Sequence, residues 1–192
     1  MIDHRLTQAD ISQLKSLIGT KLICFKSEEK DSWNRIFGNI AIVTDKRVIE
    51  IRNELTPTEY IGGNIEDVSR FFVKPIDDEH PFALMIISDV VETSVNETIT
   101  DIGIVTDGIS VKDLNGNIIY KISTAESIII KTDSSSYVIS RDWHLEEVMY
   151  FIKTSDIQRD MRSVADIISD WSDEDENTVA TCNRKEIFLK NS

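Results

Sequence analysis

The segment ISVKDLNGNIIYKI, residues 109–122, shows the clearest structural pattern in the chain. Apolar and polar residues alternate on both sides of Asn115-Gly116, and an Asn-Gly pair between two such segments is the strongest short sequence signal for a β-hairpin. The next segment, ESIIIKTDSSSYVISRD (residues 126–142), predicts a second hairpin that turns within TDSSS. The middle of the chain is therefore expected to form antiparallel β-sheet.

The N-terminal part of the chain predicts one helix followed by strands. Thr7 is placed to cap the helix, and Asp10 stands at its third position as in a capping box. Leu6 and Ile11 are spaced as a hydrophobic staple, and Gly19 is suited to end the helix. Strands are predicted at the β-branched and aromatic runs that follow, which are KLICFK, RIFGNIAIV, RVIEI, RFFVK and FALMII.

Two more helices and a last strand are predicted toward the C-terminus. Asp142 is placed to cap WHLEEVMYFIK (residues 143–153), whose apolar residues form one helical stripe. In residues 156–171 the apolar side chains follow each other at intervals of four, three, four and three. This narrow seam suits packing on the protein's own sheet or on a second copy of the helix in a homodimer. TVATCNRKEIFLK (residues 178–190) predicts the final strand.

Two short segments of the chain nearly repeat each other. NIAIVTD (residues 39–45) and DIGIVTD (residues 101–107) are identical at five of seven positions. Each predicts a strand that ends in Thr-Asp, then a turn and a second strand, because Thr and Asp side chains hydrogen-bond to nearby backbone N–H groups in turns. A duplicated β-unit and the chance convergence of two hairpins both explain the repeat.

The segment GNIAIVTDKRVIEI (residues 38–51) resembles the strand–turn–strand signature of bacterial PH-like or GRAM-type domains. Thr44 and Arg47 occupy the matching positions, whereas the second copy keeps Thr106 but has Ile109 in place of the arginine. WHLEEVMYFIK resembles the C-terminal helix that caps such a barrel. The resemblance implies small, strongly bent sheets or barrels closed by helices, in modules that mostly bind proteins or lipids.

The expected fold is therefore α+β. It is mostly antiparallel sheet, bent or closed into a small barrel, with an N-terminal helix and one or two C-terminal helices. Residues 1–74 form the helix and the first β-unit, and residues 75–155 form the second β-unit with its capping helix. Residues 156–192 add an amphipathic helix, an acidic connector and the final strand. All three parts are compatible with one compact domain, since the chain has 192 residues.

The charge of the chain is strongly negative and unevenly distributed. The net charge is −13, and residues 1–74 contribute none of it, with 11 basic and 11 acidic side chains. Residues 75–155 carry 5 basic and 14 acidic side chains. Such a surface repels nucleic acid and anionic lipid and attracts basic proteins. No signal peptide and no membrane-length apolar run is visible, so a cytoplasmic location is expected.

Few residues suggest chemistry. In PIDDEHP (residues 75–81), Asp77, Asp78 and His80 are candidate metal ligands, although neighbours on an extended segment point to opposite sides. Asp142-Trp143-His144 places a carboxylate beside an imidazole, but no nucleophile motif surrounds it. No phosphate-binding loop occurs either. No catalytic residue and no cofactor is therefore expected.

The functional prediction is a non-catalytic, cytoplasmic protein that presents an acidic surface to a basic partner. An inhibitor or immunity protein that covers the basic cleft of a toxin is one form of it. The candidate contact residues are Trp171 and the run Asp173, Glu174, Asp175 and Glu176. Trp33, Trp143 and Trp171 are expected to anchor the core, and any of them exposed beside carboxylates would be a natural contact. A PH-like lipid- or scaffold-binding module and a metal-dependent hydrolase using the Asp77 loop remain alternatives.

Overall fold

The computed structural model describes residues 1–78, 80–172 and 177–191. Within these residues the chain is mostly antiparallel sheet, with one helix near the N-terminus and helical segments near the C-terminus. The strands are β1 (Ile2–His4), β2 (Lys21–Ser27), β3 (Arg35–Phe37), β4 (Asn39–Thr44), β5 (Val48–Glu59), β6 (Ile65–Ile76), β7 (Val91–Asp113), β8 (Ile118–Thr132), β9 (Ser136–Arg141), β10 (Val148–Thr154) and β11 (Thr178–Phe188). The helices are α1 (Gln8–Lys15), α2 (Ile157–Asp160) and α3 (Val164–Ser172), with 3-10 turns at Ile61–Gly63 and Leu189–Asn191.

The described strands form one open sheet. Its order is β3-β10-β9-β8-β7-β2-β4-β5-β6, with β1 paired to β8 and β11 paired to β7. The short β1 runs parallel to β8, and the other pairings are antiparallel. The sheet is thus strongly folded over but is not a closed barrel.

Strand β7 joins the two halves of the sheet. Its first part pairs with β2, from Val91 opposite Ser27 to Thr98 opposite Lys21. Its second part lies between β8 and β11. The two halves pack face to face. The ring of Phe25 on β2 lies 4.9 Å from that of Tyr137 on β9 and 4.7 Å from that of Phe151 on β10. The largest hydrophobic cluster of the molecule fills the space between them.

Gly38 carries the chain from strand β3 at one end of the sheet to strand β4 near the other end. It separates β3, which pairs with β10, from β4, which pairs with β5. Its φ of +71° lies in the left-handed region that glycine adopts at little cost. Its N–H donates to the Glu147 carbonyl at 2.9 Å, and its own carbonyl accepts from Asn53 N–H at 2.7 Å. These bonds tie the two ends of the open sheet together.

The C-terminal helices cover the outer face of the sheet. Ile167 and Trp171 of α3 are buried in a second cluster that contains Ile109, Val111 and Ala180 among its members. Met161, which follows α2, is buried in a third cluster with Val105, Ile129 and Val138. The apolar seam expected for residues 156–171 therefore packs on the protein's own sheet.

Several local predictions are confirmed. The N–H of Asp10 donates to Thr7 Oγ1 at 3.2 Å and the N–H of Thr7 donates to Asp10 Oδ2 at 2.8 Å, which is the capping box of α1. Asn115-Gly116 turns the chain between β7 and β8, and the TDSSS segment turns it between β8 and β9. Strand β11 forms at the expected place.

The helix predicted for residues 143–153 is wrong. Val148–Thr154 is strand β10, which pairs with β9 on one side and with β3 on the other. Asp142 consequently caps no helix there, and its N–H instead donates to the Val148 carbonyl at 3.0 Å. The single helix predicted for residues 156–171 is interrupted between α2 and α3, since Met161 adopts an extended backbone.

Two β-predictions also differ from the structure. FALMII, within residues 82–87, lies in the connection between β6 and β7 and not in a strand. The first copy of the repeat does form strand, turn and strand, with Thr44 Oγ1 accepting from Arg47 N–H at 3.1 Å. The second copy contains no turn, because β7 continues through Thr106 and Asp107 while β8 and β11 pair on its two sides. The two copies of the repeat therefore adopt different local structures.

Candidate functional site

Trp33 is the most prominent aromatic side chain on the surface. Its side chain is 70% exposed, although it lies only two residues before strand β3. Asp31 holds the loop, because its Oδ1 accepts from the N–H of Trp33 at 2.8 Å and from that of Arg35 at 2.9 Å. Asn34 adds a φ of +62°, which Asn tolerates better than most residues. The loop thus has a defined backbone that presents the indole to solvent.

A surface cavity of about 490 Å³ lies next to Trp33. Strand β10 contributes Tyr150 and Ile152, while most of the remaining wall comes from α2, α3 and the link between them. We call this surface the Trp33 face. Its residues are Trp33, Asp142, Tyr150, Ile152, Asp160, Met161, Arg162, Asp166, Ser169 and Asp170.

The Trp33 face is acidic because its four carboxylates outnumber the three guanidinium groups paired with them, which are those of Arg162 within the face and of Arg35 and Arg159 beside it. The hydrogen bonds from Arg159 and Thr154 lower the pKa of Asp160 to about 2. The pKa of Asp166 is also lowered, mainly by the hydrogen bond from the Ser163 side chain. Both groups therefore stay ionised at neutral pH and above.

Arg162 fixes the geometry of this face. Its Nη2 donates to Asp170 Oδ2 at 2.5 Å, and its Nη1 donates to the backbone carbonyl of Asp142. The carboxylate of Asp142 also lies 3.6 Å from Arg35 Nη1. These contacts connect α3 to the β9–β10 connection and to the Trp33 loop. The Trp33 face is consequently preorganised by contacts within the chain itself.

The expected contact residue Trp171 lies elsewhere. Its side chain is only 2% exposed, and its ring stacks on that of His144 with centroids 4.0 Å apart. Trp171 therefore belongs to the core, as expected. Trp33, which was also expected to anchor the core, is the most exposed of the three indoles, and Trp143 is exposed to a smaller extent, at 37%. The run Asp173, Glu174, Asp175 and Glu176 follows α3 in the sequence and lies outside the described residues.

The imidazoles of His144 and His4 are both buried. His144 Nε2 lies 2.7 Å from the hydroxyl of Tyr60, and His4 Nε2 lies 3.2 Å from that of Thr58. Burial lowers the pKa of His144 to about 3 and that of His4 to about 4, with nearby guanidinium groups adding to the effect. Both are neutral at pH 7. The Asp142-Trp143-His144 sequence thus places its imidazole in the core and its first carboxylate on the Trp33 face.

A buried ion pair lies close to these histidines. Arg141 Nη2 donates to Glu126 Oε2 at 2.7 Å, and Arg141 Nη1 donates to the carbonyl of Ser69 at 2.9 Å. A second pair joins Arg184 to Asp107 through two bonds of 2.8 and 2.7 Å. None of the four paired residues was predicted from the sequence, because nothing local marks a strand position as one half of a buried pair.

The candidate metal ligands lie in an exposed turn. His80 N–H donates to Asp77 Oδ1 at 2.9 Å, and the imidazole Nδ1 lies 3.2 Å from the same oxygen. Asp78 is exposed beside them. In the described part of the chain, no three His, Cys, Asp or Glu side chains form a group that could hold a metal ion.

No family model, no curated protein and no solved structure matches the chain. In the residues that the structure describes, no helix is long and apolar enough to cross a membrane.

The Trp33 face could be anticipated only in part. The sequence indicated an acidic protein and named exposed tryptophan beside carboxylate as a natural contact. It did not indicate that residues near 33, 142, 150 and 160–170 would meet, because their proximity depends on the β3–β10 pairing. The sequence did not predict this pairing, because residues 143–153 were expected to form a helix and not strand β10.

Proposed function

We propose that the protein is a non-catalytic, cytoplasmic binding protein that uses the Trp33 face to bind a basic protein. The observation that carries the proposal is an exposed indole held beside four carboxylates in a surface cavity. An inhibitor or immunity protein that covers the basic cleft of a toxin is the specific form that this chemistry favours. Lysine and arginine side chains of the partner would supply the complementary charge.

The indole accounts for the affinity of the proposed contact. A tryptophan that is 70% exposed leaves a large apolar surface in water, and tryptophan is among the residues that dominate binding energy at interfaces. Its face also attracts lysine and arginine through cation–π interaction. Because Asp31 already orders the loop, little conformational entropy is lost when a partner covers Trp33.

The carboxylates account for the choice of partner. Asp160 and Asp166 remain ionised because their pKa values are lowered, Asp170 is paired with Arg162, and the Asp142 carboxylate lies beside Arg35. Complementary charge at the edge of an interface mainly raises the association rate and excludes partners of like charge. The negative net charge of the whole chain acts in the same direction at longer range.

Site-specific photo-cross-linking tests the location of the contact. A photoreactive amino acid replaces Ser169, an exposed residue of the Trp33 face, in one variant and Leu114 in a matched control, since Leu114 is 73% exposed at the tip of the β7–β8 hairpin. Both variants keep Trp33 and are irradiated in lysate of the source cells, and the adducts are identified by mass spectrometry. We expect a basic protein joined at position 169 and not at position 114. Equal labelling at both positions, or adducts with acidic proteins only, would contradict the proposal.

A further inference from the structure

The inner face of β7, β8 and β11 is left uncovered beyond the end of the main core. On the opposite face, Ile109, Val111 and Ala180 are buried under α3. On the uncovered face, β7 carries Thr106, Gly108 and Ser110 in succession, and each of them is partly exposed. We call this surface the basic trough. It lies on different residues from those of the Trp33 face.

The trough consists of two adjoining cavities. One has a volume of about 460 Å³ and the other of about 410 Å³, and both are lined by Arg5, Thr106 and Lys185. The first cavity has an apolar wall that includes Leu6, Ile104 and Ile187. The second is lined largely by hydroxyl and amide groups. Cavities of this size suit small ligands, and the two linings suit a molecule with an apolar end and a polar end.

The trough is basic although the protein is acidic. Four cationic side chains line it, Arg5, Arg70, Lys121 and Lys185, and its one carboxylate belongs to Asp3. Asp3 is already paired with Arg5 at 2.6 Å. Within the described part of the chain, the other three cations form no salt bridge.

The Arg70 guanidinium is positioned by an aromatic ring and has unused hydrogen-bonding capacity among the described residues. The guanidinium lies 5.1 Å from the centroid of the Phe72 ring. Its Nε is buried and has no hydrogen-bond partner among the described residues. A buried donor without a partner costs stability, and Arg70 also lines the first cavity, where an acceptor can form a charge-assisted bond with its guanidinium.

Gly108 gives an independent indication of a bound ligand. It lies inside a strand, where glycine is less stable than other residues, and its φ is not in the left-handed region. A Cβ added there would meet only the Asn183 carbonyl oxygen, at an ordinary contact distance of 3.5 Å. Neither the backbone nor the packing of the protein therefore requires glycine. A strand glycine often marks a bulge, a bend or the close approach of a ligand or another backbone, and β7 pairs in regular register with both neighbours at Gly108, so no bulge lies there.

We propose that the basic trough binds a small phosphate monoester with a partly apolar body, the chemical class that includes nucleotides. The phosphate lies between Arg70 and Lys185, whose two charges can neutralise a dianion, while Arg5 beside them stays paired with Asp3. The body lies across Gly108 between the apolar and the hydroxyl-lined cavities. A polyanion such as nucleic acid is disfavoured, because most of its charge would face the negative remainder of the protein.

Calorimetric titration of the purified chain tests the proposal with three probes: adenosine monophosphate, adenosine and inorganic phosphate. We expect the monophosphate to bind at least about tenfold more tightly than either part alone, since each supplies only some of the contacts. Absence of binding by the monophosphate at millimolar concentration would overturn the proposal. Equal affinity for inorganic phosphate would overturn the part that concerns the body.

Three variants place any binding in the trough. Lys185→Glu reverses a charge at the shared wall, and Gly108→Val fills the floor with a side chain whose Cβ has only an ordinary contact with the backbone. Both are expected to weaken binding of the monophosphate about tenfold or more, which corresponds to the loss of a charge-assisted hydrogen bond. Lys46→Glu makes the same charge change in the exposed β4–β5 turn and should leave the affinity within about twofold. Unchanged affinity in both trough variants would exclude this site.

Discussion

Glu126 and Arg141 face each other across strands β8 and β9 with 2.7 Å between Oε2 and Nη2, and both side chains are almost fully shielded from solvent. Burial raises the pKa of Glu126, while the guanidinium beside it favours the carboxylate form. Arg141 also reaches the Ser69 carbonyl on β6, so the pair connects strands that are not neighbours in the sheet. Removing one partner would leave a buried charge without its counterpart.

A double-mutant cycle on this pair is therefore expected to show strong coupling. Arg141→Met and Glu126→Leu should each lower the free energy of unfolding by about 3–5 kcal/mol. The double variant should cost much less than the two single variants together, because it leaves no unpaired charge. Denaturant unfolding measures all four proteins. Additive losses would show that the pair does not act as a unit.

Stability should fall as the pH is lowered below the usual pKa of histidine. The folded-state pKa is about 3 for His144 and about 4 for His4, against an ordinary value of 6.5, so the unfolded chain binds protons that the folded chain does not. Stability is complete above pH 6.5 and declines toward pH 4, by about 1.4 kcal/mol per pH unit for each histidine.

Denaturant unfolding at several pH values between 7 and 4.5 checks this expectation. His144→Gln removes one titrating group and should flatten the slope of stability against pH. His80→Gln serves as the control for the substitution itself, because the His80 side chain is exposed. A wild-type protein that is equally stable over the whole range would contradict the lowered pKa values of the two buried histidines.

Two glycines of strand β7 should respond differently to alanine. A Cβ at Gly103 would lie 2.8 Å from Phe188 Cε1, while one at Gly108 would meet only an ordinary contact. Gly103→Ala must displace a ring that packs under Lys131, and overpacking of this kind costs about 1–3 kcal/mol. Gly108→Ala should be neutral or slightly stabilising. Thermal unfolding measures the stability of both variants. Equal changes in stability would contradict the position of the Phe188 ring beside Gly103.

Trp33 and Trp171 should separate binding from stability. Trp171→Ala empties a buried position and is expected to cost about 3–5 kcal/mol. Trp33→Ala changes an exposed side chain and should alter stability by no more than about 0.5 kcal/mol. Denaturant unfolding of both variants provides the measurement. A large decrease in the free energy of unfolding with Trp33→Ala would mean that the indole stabilises the fold, and would contradict its assignment as a free contact surface.

The sequence predicted those parts of the fold that depend on neighbouring residues. The capping box at Thr7 and Asp10 and the turn at Asn115-Gly116 are formed by residues a few positions apart, so the local sequence is sufficient to predict them. Residues 143–153 were mistaken for a helix because their apolar residues also fit a helical stripe. Pairing of β10 with β9 and β3 decides their structure, and a local pattern does not contain that pairing.

The second copy of the repeat shows the same limit. Asp107 suits a turn by its residue type, but in the structure it is fully buried and paired with Arg184, 77 residues later in the chain. The Trp33 face likewise collects residues from four separate segments. Composition predicted its charge, and only the folded sheet places that charge around one exposed tryptophan.

Salt-dependent capture is the most direct test of the central claim that the Trp33 face binds a basic protein. Immobilised wild-type protein, Trp33→Ala and Asp166→Asn are each exposed to lysate of the source cells, washed at low and then at high salt, and compared by quantitative mass spectrometry. We expect the wild type to retain a basic protein that high salt releases, Asp166→Asn to retain less of it, and Trp33→Ala to lose it. Equal retention by all three proteins, or capture without preference for basic proteins, would contradict the claim.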